Sequence, residues 1–309
     1  MCPPSGLLSW PQVANSDGSK YHLVHGRARF LEFEDRPHSS EPLRLNAEVV
    51  STWLVQFLRD ECIRRRGITQ AVLGLSGGID SAVTAYLCAQ AFGPDNVVAV
   101  RIPYKTSSPD SLTHAQLVID HLGLQALTVD ITGMVDGYAD WEALTPRRLG
   151  NVCARARMIV LFDLSAKLGA LPIGTGNKTE RMFGYFTWHA DDSPPINPLG
   201  DLFKTQVRQL AEHLQVPEPI RKKLPTADLE PDQTDEGDLG ITYEEADRIL
   251  HYRMKGFPAR LLVEAGFEER KVTQVDRWVD ATHWKRRPPT VAMLSSSSIG
   301  DYYLRPVDY

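Results

Sequence analysis

The stretch LGLSGGIDSA, Leu73 to Ala82, decides how this chain is read. Immediately before it, Ala71–Leu75 is a short apolar run of the kind that forms a buried strand. Immediately after it, Ser81–Phe92 has helical character and stops near Gly93-Pro94. Gly74, Gly77 and Gly78 let the backbone approach an anion closely and adopt positive φ. The helix N-terminus that follows directs free N–H groups and a partial positive charge at that anion. Ser76 and Ser81 add hydroxyl donors, and Asp80 can hold a divalent cation against phosphates. Neither GxxxxGK[ST] nor GxGxxG is present, so this is neither a Walker loop nor a dinucleotide fingerprint. A bare GG pair here would be only a turn; SGGxDS between a strand and a helix reads as a phosphate loop.

Outward from the loop, strands and helices alternate. Val97–Ile102, Ala126–Asp130 and Leu171–Gly174 read as further strands. Leu112–Leu122 and Arg147–Leu168 read as helices stopped by Gly123 and Gly169. Upstream, Val49, Val50, Trp53, Leu54, Phe57 and Leu58 recur at helical spacing between Asn46 and a stop at Gly67. This alternation predicts an α/β fold, a parallel sheet covered on both faces by helices. Further on, Leu202–Gln215 is amphipathic and Thr242 to Glu245 forms a capping box. Pro258–Ala265 and Glu268–Thr282 complete a set of additional C-terminal helices. Residues 225–240 are acidic and turn-rich and read as a surface loop. Residues 1–45, with five prolines and one short strand expected near Tyr21–Val24, read as an arm. The organisation is then an extension over 1–45 and a catalytic domain over 46–309.

Composition narrows the function class. In 309 residues, 42% are hydrophobic and 24% charged, which is ordinary globular usage. Lys and Arg number 34 against 39 Asp and Glu, a net charge of -5 that argues against a general nucleic-acid binder. Cys2, Cys62, Cys88 and Cys153 form no CxxC pair, so neither a zinc site nor a disulfide framework is indicated, and the expected compartment is the cytoplasm. The start lacks the marks of a signal peptide. No run approaches the roughly 18 apolar residues of a membrane span. The nine histidines show no metal-ligand spacing, and most of the six tryptophans, Trp53 especially, read as core.

The loop resembles the pyrophosphate loop of N-type ATP pyrophosphatases, and further segments resemble one family among them, NAD synthetase of the ammonia-dependent type. They are NVCARARM (Asn151–Met158), GTGNKTE (Gly174–Glu180), INPLGDLFKTQV (Ile196–Val207) and PTADLEPDQTDEGDLGITYEE (Pro225–Glu245), with a weaker match in THWKRR (Thr282–Arg287). The resemblance covers residues 46–309. It implies an adenine nucleotide alpha-hydrolase-like, Rossmann-like fold. The implied reaction is amidation of deamido-NAD (nicotinic acid adenine dinucleotide): ATP adenylates the nicotinate carboxylate, pyrophosphate leaves, and ammonia displaces AMP. It also implies Mg²⁺ as cofactor and a homodimer, for which Asn46–Arg66 and Arg147–Leu168 offer long helical surfaces. By the same resemblance, Gly74, Leu75, Ser76, Gly77, Gly78, Ile79, Asp80 and Ser81 cradle the phosphates. Arg101, Thr175, Lys204 and Thr226 touch ATP, and Asp80 and Glu180 bind the metal. Lys204 stabilises the α-phosphate or the oxyanion, and Asp191 receives ammonium and helps deprotonate it. Arg155, Trp188, His283 and Trp284 fall on the deamido-NAD side. Taken singly, each has a bland reading: Arg155 and Arg157 as solvated helix faces, Glu180 as a dipole complement, Lys204 as a surface lysine, and Asp235, Glu236 and Asp238 as an acidic loop. Their joint occurrence with the phosphate loop carries the functional one.

The sequence departs from the family on that same dinucleotide side. Where the family commonly reads FTKYGDGAADINP, this chain reads FTWHADDSPPINP (Phe186–Pro198), so Trp188 replaces a lysine and Pro195 an aspartate; in the family's HK pair, Trp284 follows His283. Either the same substrate is held differently, with indole stacking and charge from Lys285, or the acid substrate is another carboxylate. The first is favoured because Arg155, Asp191 and the QTDEG loop remain. A tRNA-modifying pyrophosphatase is disfavoured by the net charge and isolated cysteines. A non-catalytic nucleotide sensor is disfavoured by intact Asp80, Glu180 and Lys204. GMP and asparagine synthetases share SGGxDS but not GTGNKTE or QTDEG. The 45 remaining residues are too few for a glutaminase domain, so nitrogen is expected as free ammonia or from a separate partner.

Overall fold

A computed structural model describes residues 22–24, 27–29, 41–224, 234–288, 290–292 and 294. A two-stranded antiparallel hairpin, β1 (His22–Val24) and β2 (Arg27–Arg29), matches the strand expected near Tyr21–Val24 and adds a partner to it. Helix α1 (Ala47–Leu58) is capped by Asn46, whose side chain accepts from the Val49 N–H at 3.1 Å, and runs on into a π turn over Arg59–Arg64.

The centre is a parallel sheet. Strand β3 (Ala71–Gly74) leads through the glycine loop into α2 (Ile79–Phe92). Then come β4 (Val97–Arg101), α3 (Pro109–Leu122), β5 (Gln125–Thr128), α4 (Thr132–Ala139), α5 (Pro146–Leu168) and β6 (Leu171–Pro172). The order is β5-β4-β3-β6, with β3 paired in parallel to both β4 and β6. The stops Gly123 and Gly169 sit in the left-handed region at φ +65° and +63°, where a side chain would be strained. Alternate residues of each strand feed opposite faces. Ala71, Leu73, Val97 and Ala99 join a core with Leu58, Leu87, Leu210 and Ile220 from one helical layer. Val72, Val98 and Val100 join another with Val135 and Val160 of α4 and α5. Each fully buried Leu or Val contributes about 1.5–3 kcal/mol. Edge strand β5 departs from the expectation of coverage on both faces, since all four of its residues are exposed.

The C-terminal part is helical: α6 (Lys178–Phe183), α7 (Lys204–His213), α8 (Glu218–Lys222), α9 (Asp235–Leu239), α10 (Tyr243–Met254), α11 (Ala259–Glu264) and α12 (Glu269–Ala281), ending in a 3-10 turn over His283–Arg286. Phe183, Tyr243, Ile249, Leu262 and Val275 form its own core. Thr242 caps α10 as expected, accepting from the Glu245 N–H. Two expectations are corrected. Helix α9 lies inside the stretch read as a loop: Thr234 caps it and Leu239 is buried, so a hydrophobic anchor turns an acidic segment into one helical turn. Trp53 is 66% exposed, stacked on Phe57, and Trp141 is 76% exposed. Helix α1 carries apolar residues around more of its circumference than the core can accept, and Leu54, Val55 and Leu58 take the buried side. Among the described residues, no helix is long and apolar enough to cross a membrane.

Candidate active site

A cavity of about 440 Å³ opens at the carboxyl ends of β3, β4 and β6, where parallel sheets present their ligand sites. Its floor is the glycine loop. The Leu75 N–H donates to Val100 O at 2.9 Å and ties the loop to β4. Ser81 Oγ donates to Gly78 O at 3.0 Å and lies 3.1 Å from Ser76 Oγ. Helix α2 starts without a side-chain cap, so its first N–H groups remain for a ligand. Gly77 has a different part from its neighbours. Its φ is +77°, and a Cβ there would lie 2.2 Å from Ser111 O, so glycine is required for α3 to back onto the loop. Gly77 does not line the cavity, whereas Gly74, Leu75, Ser76, Gly78, Ile79, Asp80 and Ser81 do.

The end of each strand delivers one further group. Arg101, at the end of β4, donates to Gln116 Oε1, and its buried Nε has no partner. Thr175 follows β6 and lines the cavity between Gly174 and Gly176. Thr226 lies outside the described residues.

Lys204 starts α7 and is 3% exposed. Its ammonium bonds Asp80 Oδ2 at 2.5 Å and Glu180 Oε1 at 3.0 Å. Asn177 completes the joint: its Nδ2 donates to Asp80 Oδ1 at 3.0 Å, and its Oδ1 caps α6 by accepting from the Glu180 N–H. Burial works against the charge of Lys204, but Asp80 and Glu180 hold it protonated well above the usual lysine range. Burial raises Glu180 to about 7, Lys204 pulling it down and Asp80 pushing it up. Asp235, 4% exposed, lines the same cavity; Tyr243 OH donates to its Oδ2 at 3.0 Å, while its buried Oδ1 has no partner. Three carboxylates therefore face one ammonium. That excess of negative charge and the free Oδ1 fit a divalent cation, which Asp80 and Glu180 would hold together with phosphate oxygens.

Behind this cluster stands Asp247 on α10, fully buried. Its carboxylate accepts from Thr179 Oγ1 at 2.6 Å, the Thr205 N–H at 2.9 Å and Thr205 Oγ1 at 2.8 Å. Thr179 Oγ1 in turn accepts from the Lys204 N–H at 2.9 Å. The residues flanking Glu180 and Lys204 are thus tied to one buried acid.

At the other end, Asp191 lines the cavity and accepts from the Thr187 N–H at 2.8 Å. It is open to solvent from the cavity, yet the surrounding protein still raises its carboxyl above the usual range, against the pull of Thr187. Arg155, Trp188 and Trp284 gather into one patch, with His283 next to Trp284 in the chain, and none of the four lines the cavity. Arg155 Nη2 donates to Trp188 O at 3.2 Å, and the Trp188 and Trp284 rings meet edge-on at 5.0 Å. Lys285, next to Trp284, does reach the cavity, and its ammonium donates to Gly184 O at 2.6 Å and to Phe186 O. Arg157, Lys223 and Asp235 are among the lining residues that the sequence did not assign to the site. Arg157 is held by Ile102 O at 3.1 Å, one helical step from the cavity wall at Ala154. Lys223 sits two residues before the PTADLEP motif, and Asp235 looked like surface acid. Asn177 was not assigned a role from the sequence either, although its place in GTGNKTE could have marked it.

The NAD synthase family model matches residues 50–289. The NH3-dependent NAD+ synthetase of Trichlorobacter lovleyi is 48% identical over 260 residues, 83% of this chain and 94% of that one. That of Fusobacterium nucleatum is 44% identical, covering 82% and 98%. Among solved structures, NMN synthetase from Francisella tularensis superposes with a TM-score of 0.71 at 29% identity, over 81% of this chain and 99% of that one. The NH3-dependent NAD synthetase of Campylobacter jejuni gives a TM-score of 0.70 at 27% identity, over 81% and 100%. With a phosphate loop at the head of α2 and a lysine clamped by two acids beside it, this chain belongs to the NAD synthase family.

Proposed function

We propose that this chain is a ligase that uses ATP to amidate deamido-NAD to NAD, with ammonia as nitrogen donor. The observation that carries this reading is the clamp of Lys204 by Asp80 and Glu180 directly beside the phosphate loop. The nicotinate carboxylate oxygen attacks the α-phosphorus of ATP, and the Pα–O bond to the β-phosphate breaks with its electron pair leaving on pyrophosphate. Ammonia then attacks the acyl carbon, and the bond to AMP breaks. Lys204 offsets charge on the α-phosphate, and N–H groups at the head of α2 hold the phosphates already in place. Asp191 takes the proton from ammonium and returns it to solvent through the open face of the cavity. Mg²⁺, held by Asp80 and Glu180, would neutralise phosphate charge.

The extension read over residues 1–45 is proposed as an arm outside this machinery, except for its end, where Leu43 is buried in the C-terminal core and Leu43 and Leu45 bond Gln209 of α7. The exposed apolar residues Trp141, in the turn between α4 and α5, at 76% and Ile159 of α5 at 52% support a homodimer as the working form. Cys62, Cys88 and Cys153 are free and buried, which suits a reducing cytoplasm. Ammonia would come from solution or from a separate supplying protein.

The edge-on Trp188–Trp284 pair favours one second reading, a related acid lacking the adenylate half, since an aromatic patch stands where the family holds the dinucleotide with charge. The Francisella structure, named an NMN synthetase, points to the same alternative. One assay separates the two. Protein with ATP, Mg²⁺ and ammonium is given deamido-NAD or nicotinate mononucleotide, and amide and AMP are quantified. Equimolar NAD and AMP from the dinucleotide is expected. Amide formed only from the mononucleotide would establish the second reading, and none from either would end both.

A further inference from the structure

Six cations line the cavity: Arg101, Arg157, Arg181, Lys204, Lys223 and Lys285. Lys204 is already matched by two carboxylates, so the Lys204–Asp80–Glu180 trio carries net negative charge. Pyrophosphate leaving ATP carries several negative charges and needs an unmatched cation near the loop that holds it. Lys223 has that character. Among the described residues no carboxylate pairs with it, and the bond its ammonium makes is to the neutral Ser111 Oγ at 3.1 Å. Ser111 is the residue whose carbonyl presses against Gly77 at the turn of the phosphate loop. The ammonium is therefore hung on the wall that backs the loop, with two N–H donors to spare. Lys223, Ser111, Ser76 and Gly78 face one cavity.

Resting on the reading of this site as an ATP-cleaving one, we propose that Lys223 binds the β- and γ-phosphates of ATP and follows them as pyrophosphate departs. When the Pα–O bond breaks, charge grows on the bridging oxygen and is spread over pyrophosphate; the Lys223 N–H groups donate to it while Lys204 stays with the α-phosphate. The role is specific to the two terminal phosphates and owes nothing to the nucleoside.

The test uses the full chain. In Lys223→Met, ATP is expected to bind about tenfold or more weakly, the loss typical of a charge-assisted hydrogen bond, while AMP binds within about twofold of wild type. Lys223→Arg should recover most of the ATP affinity. Equal weakening of ATP and AMP, or unchanged ATP affinity in a folded variant, overturns the proposal. A measurement on the unmutated protein stands beside it: labelling of Lys223 by an amine-reactive reagent, read by mass spectrometry. Inorganic pyrophosphate and ATP should protect Lys223, and AMP should not; labelling indifferent to pyrophosphate overturns the assignment whether or not the variant folds. If wild type forms no amide, the ligase reading falls, and the pyrophosphate footprint still decides the binding role.

Discussion

Lys204 shows why a residue's chemistry is set by its neighbours. A lysine in a sequence is by default a solvated side chain; here it is buried between Asp80 and Glu180, contributed by the heads of two different helices. The ion pairs do not make this an energetically favourable core position, because desolvating such charges offsets most of their attraction. They keep a full positive charge beside the phosphate loop in a place where water cannot screen it. Lys204→Met is therefore expected to lower kcat about 10²–10³-fold, the range for losing one preorganised transition-state donor. Quantified AMP release at saturating ATP checks this; activity within about twofold of wild type would remove Lys204 from the chemistry.

Among elements, α6, α7 and α10 matter most to the site, because their junction sets where Glu180 and Lys204 point. Asp247 is that junction. Burial raises its carboxyl to about 6, although Thr179 and Thr205 donors pull it down. An unfolded aspartate titrates near about 3.9. Because the folded value is the higher one, protonation favours folding: the contribution is whole below pH about 4 and is lost as pH rises through about 6. Asp247→Asn mimics the protonated form and carries no such dependence. Between pH 4 and 7, wild type should lose about 2–3 kcal/mol of stability relative to Asp247→Asn, measured by urea unfolding across that range. A difference that does not change with pH would show that Asp247 ionises without cost. Little of this junction was legible beforehand: Asp247 sits in an ordinary amphipathic helix, and its partners lie 68 and 42 residues away.

For the whole molecule, the described residues leave apolar surface uncovered at the exposed edge of β5, at Met134 and Tyr138 of α4, at Ile159 and Phe162 of α5, and at Val49 and Trp53 of α1. Ile159→Glu with Phe162→Glu should convert a dimer to a monomer in sedimentation velocity, with thermal unfolding showing each monomer still folded. A wild type that sediments as a monomer at micromolar concentration would dismiss the dimer.

The order of strands and helices, the parallel sheet, the phosphate loop and the acidic pair Asp80 and Glu180 were legible in the sequence. Each rests on local periodicity, on glycine and capping signals, or on short motifs whose residues act within a few positions of one another. Burial of single side chains was less so. Periodicity ranks Trp53 as core, but only the packed layer shows that Leu54, Val55 and Leu58 use up the space. The position of Lys223 beside Ser111, the Asp247 junction and the withdrawal of Trp188 and Trp284 from the cavity are all long-range. They depend on which elements the fold brings together, and hydrophobic packing, being non-directional, leaves no local mark of that choice in the chain.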